Sequence, residues 1–589
     1  MPQDDNPHLN PEDPHYEIEC IRHSTAHIMA QAMTRLWPEI KLAFGPTIEN
    51  GFYYDVQMEH TITPEDLETI SKEMKKAIKE NHKFEQKNLN KEEAIAFFKE
   101  HKQDFKIDQI EKLNLEEYSV YQQGEFTDLC SGPHVSYSKK CKHFKLMNIS
   151  GAYFRGDESG EQLQRVYGTA WKTKEALEEH LHFLEEAKKR DHRKLGVELE
   201  LFEFHSDISP GAAFWQPKGS VIWRLLSDKT IDFHIRNGYQ EVRTPLIFNK
   251  KLWEKSGHWE HYQENMYKVP DPENDANTMA VKPMNCPGHM QMFGNKKRSY
   301  RELPLRLHDQ SQLHRFERSG TLNGLIRVRS FCQDDAHIFL REEQIVEECK
   351  NVITMVARIY SIFDMSFRCV LSTRPTKMMG DPALWDKAEA ALTEVLEVTK
   401  TEYKINEGDG AFYGPKIDFY VKDSLKREHQ CATLQLDFQL PSPERFDLKY
   451  TDENNELKTP IVIHRALYGS FDRFIAILIE HYAGAFPLWL SPIQCRFIPV
   501  ASRHIDHCYQ LEKEFLKQGL RAEVDSSNET TGKKLRDGKM KKIPYLIVIG
   551  DKEIENNTLS WNQYGSDKKG NCHIEEFFNK IKPQQDIVY

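Results

Sequence analysis

The sequence predicts a multidomain protein, with a large α+β central domain flanked by two smaller α/β domains. Three observations predict it. The chain has 589 residues, too many for one hydrophobic core. Its pattern changes near Glu198 and again near Gln494. Short apolar runs of strand character alternate along the chain with segments of helical period. Apolar residues make up 39% and charged residues 29%, an ordinary globular balance. No apolar run approaches a membrane span, and Met1 to Asn6 lacks the features of a signal peptide. The eleven cysteines form no regular framework, so a reduced, cytoplasmic protein is expected, with no membrane partner. A net charge of −11 gives no global basic field for nucleic acid, although a local basic face would suffice.

Residues 1–16 are polar and carry prolines, and are expected to form a tail. The first domain is expected over 17–172. Arg22 to Trp37 reads as an amphipathic helix, with Ala26, Ile28, Met29, Ala32, Met33 and Leu36 near helical spacing. Asn50-Gly51 marks a turn before a strand at Phe52 to Tyr54. Thr63 and Pro64 are expected to be the N-cap and first residue of a second helix. Residues 173–197 read as a charged connecting helix, with Leu177, Leu181, Leu184 and Ala187 on one face. The central domain is expected over 198–492. In the last domain, 493–589, strands at Phe497 to Val500 and Tyr545 to Ile549 alternate with helices at His504 to Gln518 and Thr531 to Lys541.

Three distant stretches each offer a metal ligand beside residues suited to phosphate. Cys286 stands in Met284-Asn285-Cys286-Pro287-Gly288-His289, read as a Pro-Gly turn. His337 closes Asp334-Asp335-Ala336-His337, and His464 ends the apolar run Ile461-Val462-Ile463. One Cys and two His give the ligand count of an open zinc site that keeps a position for a substrate. Taken singly, each is more often an ordinary core cysteine or a hydrogen-bonded histidine. His314-Arg315-Phe316-Glu317 and Arg327-Val328-Arg329 read as strand, loop, strand, with Arg315 and Glu317 on one face. That pair suits an α-phosphate and an adenine amino group, or else a cross-strand salt bridge. Gly469-Ser470-Phe471-Asp472-Arg473 opens an apolar helix whose small residues admit a ligand and whose arginine suits a terminal phosphate.

In the first domain, His23 and His27 share a helix face, and Cys130 and His134 follow at the same spacing much later. By residue type, this HxxxH and CxxxH pair reads as a closed zinc site.

Together these motifs resemble those of class II aminoacyl-tRNA synthetases, and specifically threonyl-tRNA synthetases, over about residues 20 to 555. The resemblance implies an antiparallel class II sheet in the catalytic domain, an editing domain before it and an anticodon-binding domain after it. It implies a homodimer built partly on Asn237-Gly238-Tyr239 and Val242-Arg243-Thr244-Pro245. Its substrates would be ATP with Mg2+, L-threonine and threonine tRNA. Cys286, His337 and His464 would hold Zn2+; Asp335, Tyr413 and Gln435 would frame threonine. Arg315, Arg327 and Arg473 would neutralise phosphates, Phe331 and Glu317 would meet adenine, and Gln430 and Thr433 the ribose. Lys416 would sit near the carboxylate, and His258 would serve acyl transfer to tRNA.

Serine lacks only one methyl of threonine, worth roughly 1–3 kcal/mol of discrimination, so a second sieve is needed. The resemblance gives that task to His23, His27, Cys130 and His134, with Asp128 and Lys106, and without an obligatory metal. Asn528, Arg536, Glu553 and Asn562 fall on anticodon-reading positions. Asn562 departs from the family's arginine, so weaker or less salt-dependent anticodon affinity is expected, offset if Trp561 or Tyr564 stacks on a base. Many members begin with a ubiquitin-like domain; with Arg22 so near the start of this sequence none is expected here, and activity is expected without it. A ligase for another carrier, an RNA-binding regulator or a metallohydrolase would each leave some of these motifs unexplained.

Overall fold

The computed structural model describes residues 15–157, 160–271 and 278–587, so the expected tail lies outside the described residues up to Pro14, and its last residue, Tyr16, instead begins the first helix. The chain forms two compact units, the first ending at Glu185 and the second beginning at Glu186, a division that falls within helix Lys174–Arg190.

In the first unit, helix Tyr16–Leu36 packs on an antiparallel sheet of five strands. The expected amphipathic helix is instead a core helix. Every residue from Cys20 to Met33 is buried, so its polar side chains must find partners inside the protein. Helix Pro64–Glu80 starts where its sequence predicts: Thr63 and Asp66 form a capping box and Pro64 occupies the first turn. A separate antiparallel sheet, Glu85–Asn90, Glu117–Gln123 and Phe126–Leu129, carries Asp128 near its end.

The second unit is built on an eight-stranded sheet. Its order is Gln240–Glu241, Leu305–Asp309, Asp335–Leu340, Ile461–Ala466, Glu428–Asp437, Lys416–Lys422, Phe367–Ser372, Tyr403–Asn406. The inner pairings are antiparallel, and both edge pairings are parallel. Helix Phe471–His481 lies in the main core, where every residue from Phe471 to Glu480 is buried except Arg473. Two buried carboxylates fix its entry. Asp472 accepts from the Cys332 N–H at 3.2 Å, and Asp334 accepts from the N–H groups of Leu467, Tyr468 and Gly469 at 2.8 to 3.1 Å. Gly469 has φ +78°, and a Cβ there would stand 2.7 Å from the Cys431 carbonyl oxygen, so this loop requires glycine.

The C-terminal region of this unit keeps its own core around a five-stranded sheet, Ala522–Val524, Cys495–Pro499, Tyr545–Ile549, Thr558–Gln563 and Lys569–His573. Arg521 fastens it to the preceding segment, donating to the carbonyls of Trp489 at 2.7 Å and Ser491 at 2.9 Å.

Candidate active site and editing pocket

The sheet register brings the distant motifs together. His337 pairs with His464, His464 with Gln435, and Gln435 with Lys416. Residues directly opposite in antiparallel strands share a face, so these four side chains form one row across the sheet. Asp335 lies two residues before His337 and therefore on the same face. His337 and His464 are thus within strands, not at strand ends as their sequence motifs imply. Cys286 likewise opens helix Cys286–Gly294 instead of sitting in a turn, because Pro287 fits a first helical turn.

Above this row lies a cavity of about 590 Å³. Its walls include Cys286, His337, His464, Asp335, Tyr413 and Gln435 at one end, and Arg315, Glu317, Arg327, Phe331, Gln430, Thr433 and Arg473 at the other. The expected strand does not run through Arg315 to Glu317. The strands stop at Gln312–His314 and Ser330–Cys332, and the Glu317 N–H closes a tight turn on the Arg315 carbonyl at 2.8 Å. The turn brings both side chains to the cavity, where alternation alone would not decide their direction. Arg327 clasps Glu317 Oε2 through Nε and Nη2 at 3.0 and 2.8 Å, so the salt bridge exists alongside the cavity position. The Arg315 guanidinium stands 5.0 Å from the Phe331 ring, and the buried Nε of Arg473 has no acceptor among the described residues.

Tyr413 donates to Gln435 Oε1 at 2.6 Å, and Asn285 donates to Asp335 at 3.1 Å. Lys416 and His258 are not among the lining residues. Lys416 pairs with the buried Asp418 at 2.8 Å and with Asp409 at 3.3 Å; burial lowers its pKa, but these charges outweigh it and raise it. His258 is fully buried, with Nδ1 at 2.8 Å from Ser256 Oγ and Nε2 at 3.2 Å from Met284 Sδ and 3.7 Å from Cys286 Sγ. Burial pushes its pKa down to about 3, leaving a neutral imidazole.

Several lining or supporting residues were given no role by the sequence reading. Met284, Gln333 and Tyr262 line the cavity. Asp418 holds Gln430 at 2.7 Å, Thr433 at 3.3 Å and Ser372 at 2.9 Å. Its place opposite Thr433 in the register is the signal, visible only once the strands are paired.

Cys286, His337 and His464 offer one sulfur and two imidazoles within 4.8 Å of one another, all buried. This donor set fits Zn2+, with the cavity side left for a substrate.

The first unit brings His23, His27, Cys130 and His134 together in the same way, with donor atoms within 4.8 Å. Cys130 Sγ lies 3.2 Å from His23 Nε2 and 3.3 Å from His134 Nε2, and accepts from the Gly132 N–H at 3.2 Å. Behind them, Lys106 pairs with Asp128 at 2.8 Å and donates to Tyr54 Oη at 3.1 Å, while Tyr54 donates to Asp128. Burial pushes His23 down to about 4 and His27 to about 3, and the Cys130 thiol up to about 12. Burial also pushes Asp128 up, but the Lys106 charge and the hydrogen bonds from Lys106 and Tyr54 outweigh it and hold the carboxyl below its ordinary value. Tyr54 was hidden in an aromatic strand that reads as plain core.

The C-terminal positions are spread over a loop and three elements. Asn528 is exposed after strand Ala522–Val524, and Arg536 is exposed on helix Thr531–Met540. Glu553 caps its own helix, accepting from the Gly550 N–H at 2.9 Å. Asn562 is half-buried in strand Thr558–Gln563. The expected stacking role of Trp561 is corrected. Its ring is buried in the domain core, 6.1 Å from Tyr545 and 6.4 Å from Phe577, on the opposite face from Asn562. Tyr564, on the Asn562 side by alternation, is half-buried.

Comparison with known proteins agrees with this geometry. Residues 267–482 match the tRNA synthetase class II core domain (G, H, P, S and T), residues 494–584 an anticodon binding domain, and residues 118–167 the threonyl and alanyl tRNA synthetase second additional domain. The chain is 49% identical over 568 residues to threonine–tRNA ligase 2 of Bacillus subtilis, covering 96% of this chain and 88% of that one. The chain belongs to the threonine–tRNA ligase family. It is also 50% identical over 564 residues to the threonine–tRNA ligase of Carboxydothermus hydrogenoformans, again across 96% and 88% of the two chains. A crystal structure titled as the RNA binding domain of the Cryptosporidium parvum threonyl-tRNA synthetase superposes with a TM-score of 0.65 at 40% identity, covering 68% of this chain and 99% of that one. The expected class II fold therefore stands, as do the editing and anticodon-binding domains. No described helix is long and apolar enough to cross a membrane.

Proposed function

We propose a division of labour among the residues of a chain that threonylates tRNA, using ATP with Mg2+, and edits mischarged tRNA. The observation that carries it is the row His337, His464, Gln435 and Lys416 on one sheet face, beneath a cavity that also admits Arg315 and Arg473. Zinc held by Cys286, His337 and His464 would receive the amino and hydroxyl groups of threonine, a contact that valine cannot match with a methyl group. Asp335 accepts from the threonine hydroxyl, and the linked Tyr413 and Gln435 frame the amino acid. Arg315 orients the α-phosphate for in-line attack by the carboxylate, and Arg473 with Arg327 neutralises the departing pyrophosphate. Phe331 and Glu317 meet adenine; Gln430 and Thr433, both fixed by Asp418, meet the ribose. Lys416, held beside the substrate row by its own carboxylates, steers the amino-acid carboxylate.

His258 serves acyl transfer, and its Nε2 meets the tRNA end once its contact with Met284 opens. Serine passes the first pocket at roughly 1–3 kcal/mol, so its ester is removed elsewhere. His23, His27, Cys130 and His134 position water at that ester, with Asp128, Lys106 and Tyr54 as a buried polar support. Asn528, Arg536, Glu553 and Asn562 contact the anticodon of threonine tRNA. Two chains form a cytoplasmic homodimer through the segment that includes Tyr239 and Val242 to Pro245.

Amino-acid-dependent ATP–pyrophosphate exchange tests this. Exchange with threonine, weaker exchange with serine and almost none with valine is expected. No exchange with any of the three would overturn the catalytic reading in favour of an RNA-binding regulator.

A further inference from the structure

Both histidines of the Cys286 set are engaged from behind. His464 directs Nε2 at Asp437 Oδ2, 2.8 Å away. Asp437 is fully buried, and its other oxygen accepts from the N–H groups of Gln439 at 2.7 Å and Leu440 at 2.9 Å. Among the described residues no lysine or arginine is paired with it, so its charge faces only the His464 imidazole. His337 directs Nδ1 at Nδ1 of the fully buried His289, 2.8 Å away. The far nitrogen of His289 stands 3.7 Å from Asp309 Oδ2. Asp309 is itself fixed by the Thr244 N–H at 3.1 Å, the Thr244 hydroxyl at 2.8 Å and the Ser311 N–H at 2.9 Å.

A ring nitrogen occupied from behind leaves one nitrogen for a cation: Nδ1 on His464 and Nε2 on His337. We propose that Asp437 and His289 are positioning residues for the metal. They fix the tautomer and ring angle of His464 and His337 before any ion arrives. The Asp437 carboxylate draws the outer proton of His464 and makes its inner nitrogen a better donor. His289 does the same for His337, since a neutral imidazole can accept at Nδ1 from the His337 N–H; its far nitrogen has no hydrogen-bond partner among the described residues, the Asp309 carboxylate standing 3.7 Å away. The inference rests on the zinc assignment above.

The test is zinc affinity, measured on the full chain by competition with a chromophoric chelator, alongside melting of the metal-free proteins. Asp437→Asn has one acceptor for the three donors that Asp437 now satisfies, so it loses its hold on either the backbone or His464. Asp437→Asn and His289→Ala are each expected to weaken zinc binding about 10- to 100-fold, with Asp437→Glu between them and the wild type. A merely structural pair would lower the melting temperature and leave the zinc constant unchanged, and that result overturns the inference alone. Wild-type protein that takes up no zinc would overturn the zinc assignment and this inference with it. The two variants lie on separate elements, so misfolding of one leaves the other to decide.

Discussion

The two units each gather histidines and a cysteine, and their surroundings differ more than their donors. The first unit offers four donor atoms and the second three. Counted alone, the first would be the better zinc site. In the second, both histidines are engaged from behind, one by an unneutralised carboxylate, and a substrate-sized cavity opens beside them. In the first, His27 Nδ1 has no partner among the described residues, and His134 Nδ1 meets only the Ser24 hydroxyl, 3.0 Å away. The nearby carboxylate, Asp128, is already neutralised by Lys106. We propose that outer contacts, and not ligand count, decide which of the two sets holds a cation.

The largest effect should come from the arginines that line the cavity. Arg315→Ala is expected to slow threonine-dependent pyrophosphate exchange by on the order of 10²–10³-fold while leaving hydrolysis of seryl-tRNA at its wild-type rate. Loss of both activities would break the separation of the two sites. Next, Lys106→Met strands Asp128 in the first unit, where both side chains are under 5% exposed, and should cost about 3–5 kcal/mol in that unit, read from its melting transition.

The pH dependence has a definite sign. Because the folded Asp128 pKa lies below its ordinary 3.8, the pair's stabilisation is present above that value and is lost as pH falls through the lower folded one. The cost of Lys106→Met should therefore shrink as pH falls, because burial raises the stranded Asp128 so that it protonates early, and an undiminished cost in acid would contradict the buried pair. Tyr54→Phe removes one donor to Asp128, with an expected cost of about 1–3 kcal/mol and slower seryl-tRNA hydrolysis at unchanged exchange. The smallest effect concerns the C-terminal region. Asn562→Arg should tighten tRNA binding and steepen its salt dependence by about one in slope. Unchanged affinity and slope would sink the idea that Asn562 weakens anticodon contact.

Much of this was legible in the sequence because its motifs are local. Thr63-Pro64 announces a helix start, and Gly469 to Arg473 announces a loop that admits a ligand at a core helix. Periodicity also tells which residues of one strand share a face. It does not tell which strands pair, so the row from His337 to Lys416 emerged only from the register. Pro287-Gly288 imitates a turn but begins a helix, and the turn at Glu317 interrupts a run that looks like strand. Asp309, Asp418 and Asp437 were invisible because acidic residues are usually solvated; their burial follows from partners far away in sequence. Trp561 was misread for the converse reason: an aromatic beside a polar reader looks available, but strand alternation turns it into the core.

The most direct measurement of the central claim is zinc content per chain in the wild type, His337→Ala and Cys130→Ala. One zinc in the wild type and in Cys130→Ala, with none in His337→Ala, is the predicted result. Zinc retained by His337→Ala and lost from Cys130→Ala would contradict it, because donor number would then outrank the contacts behind the ligands.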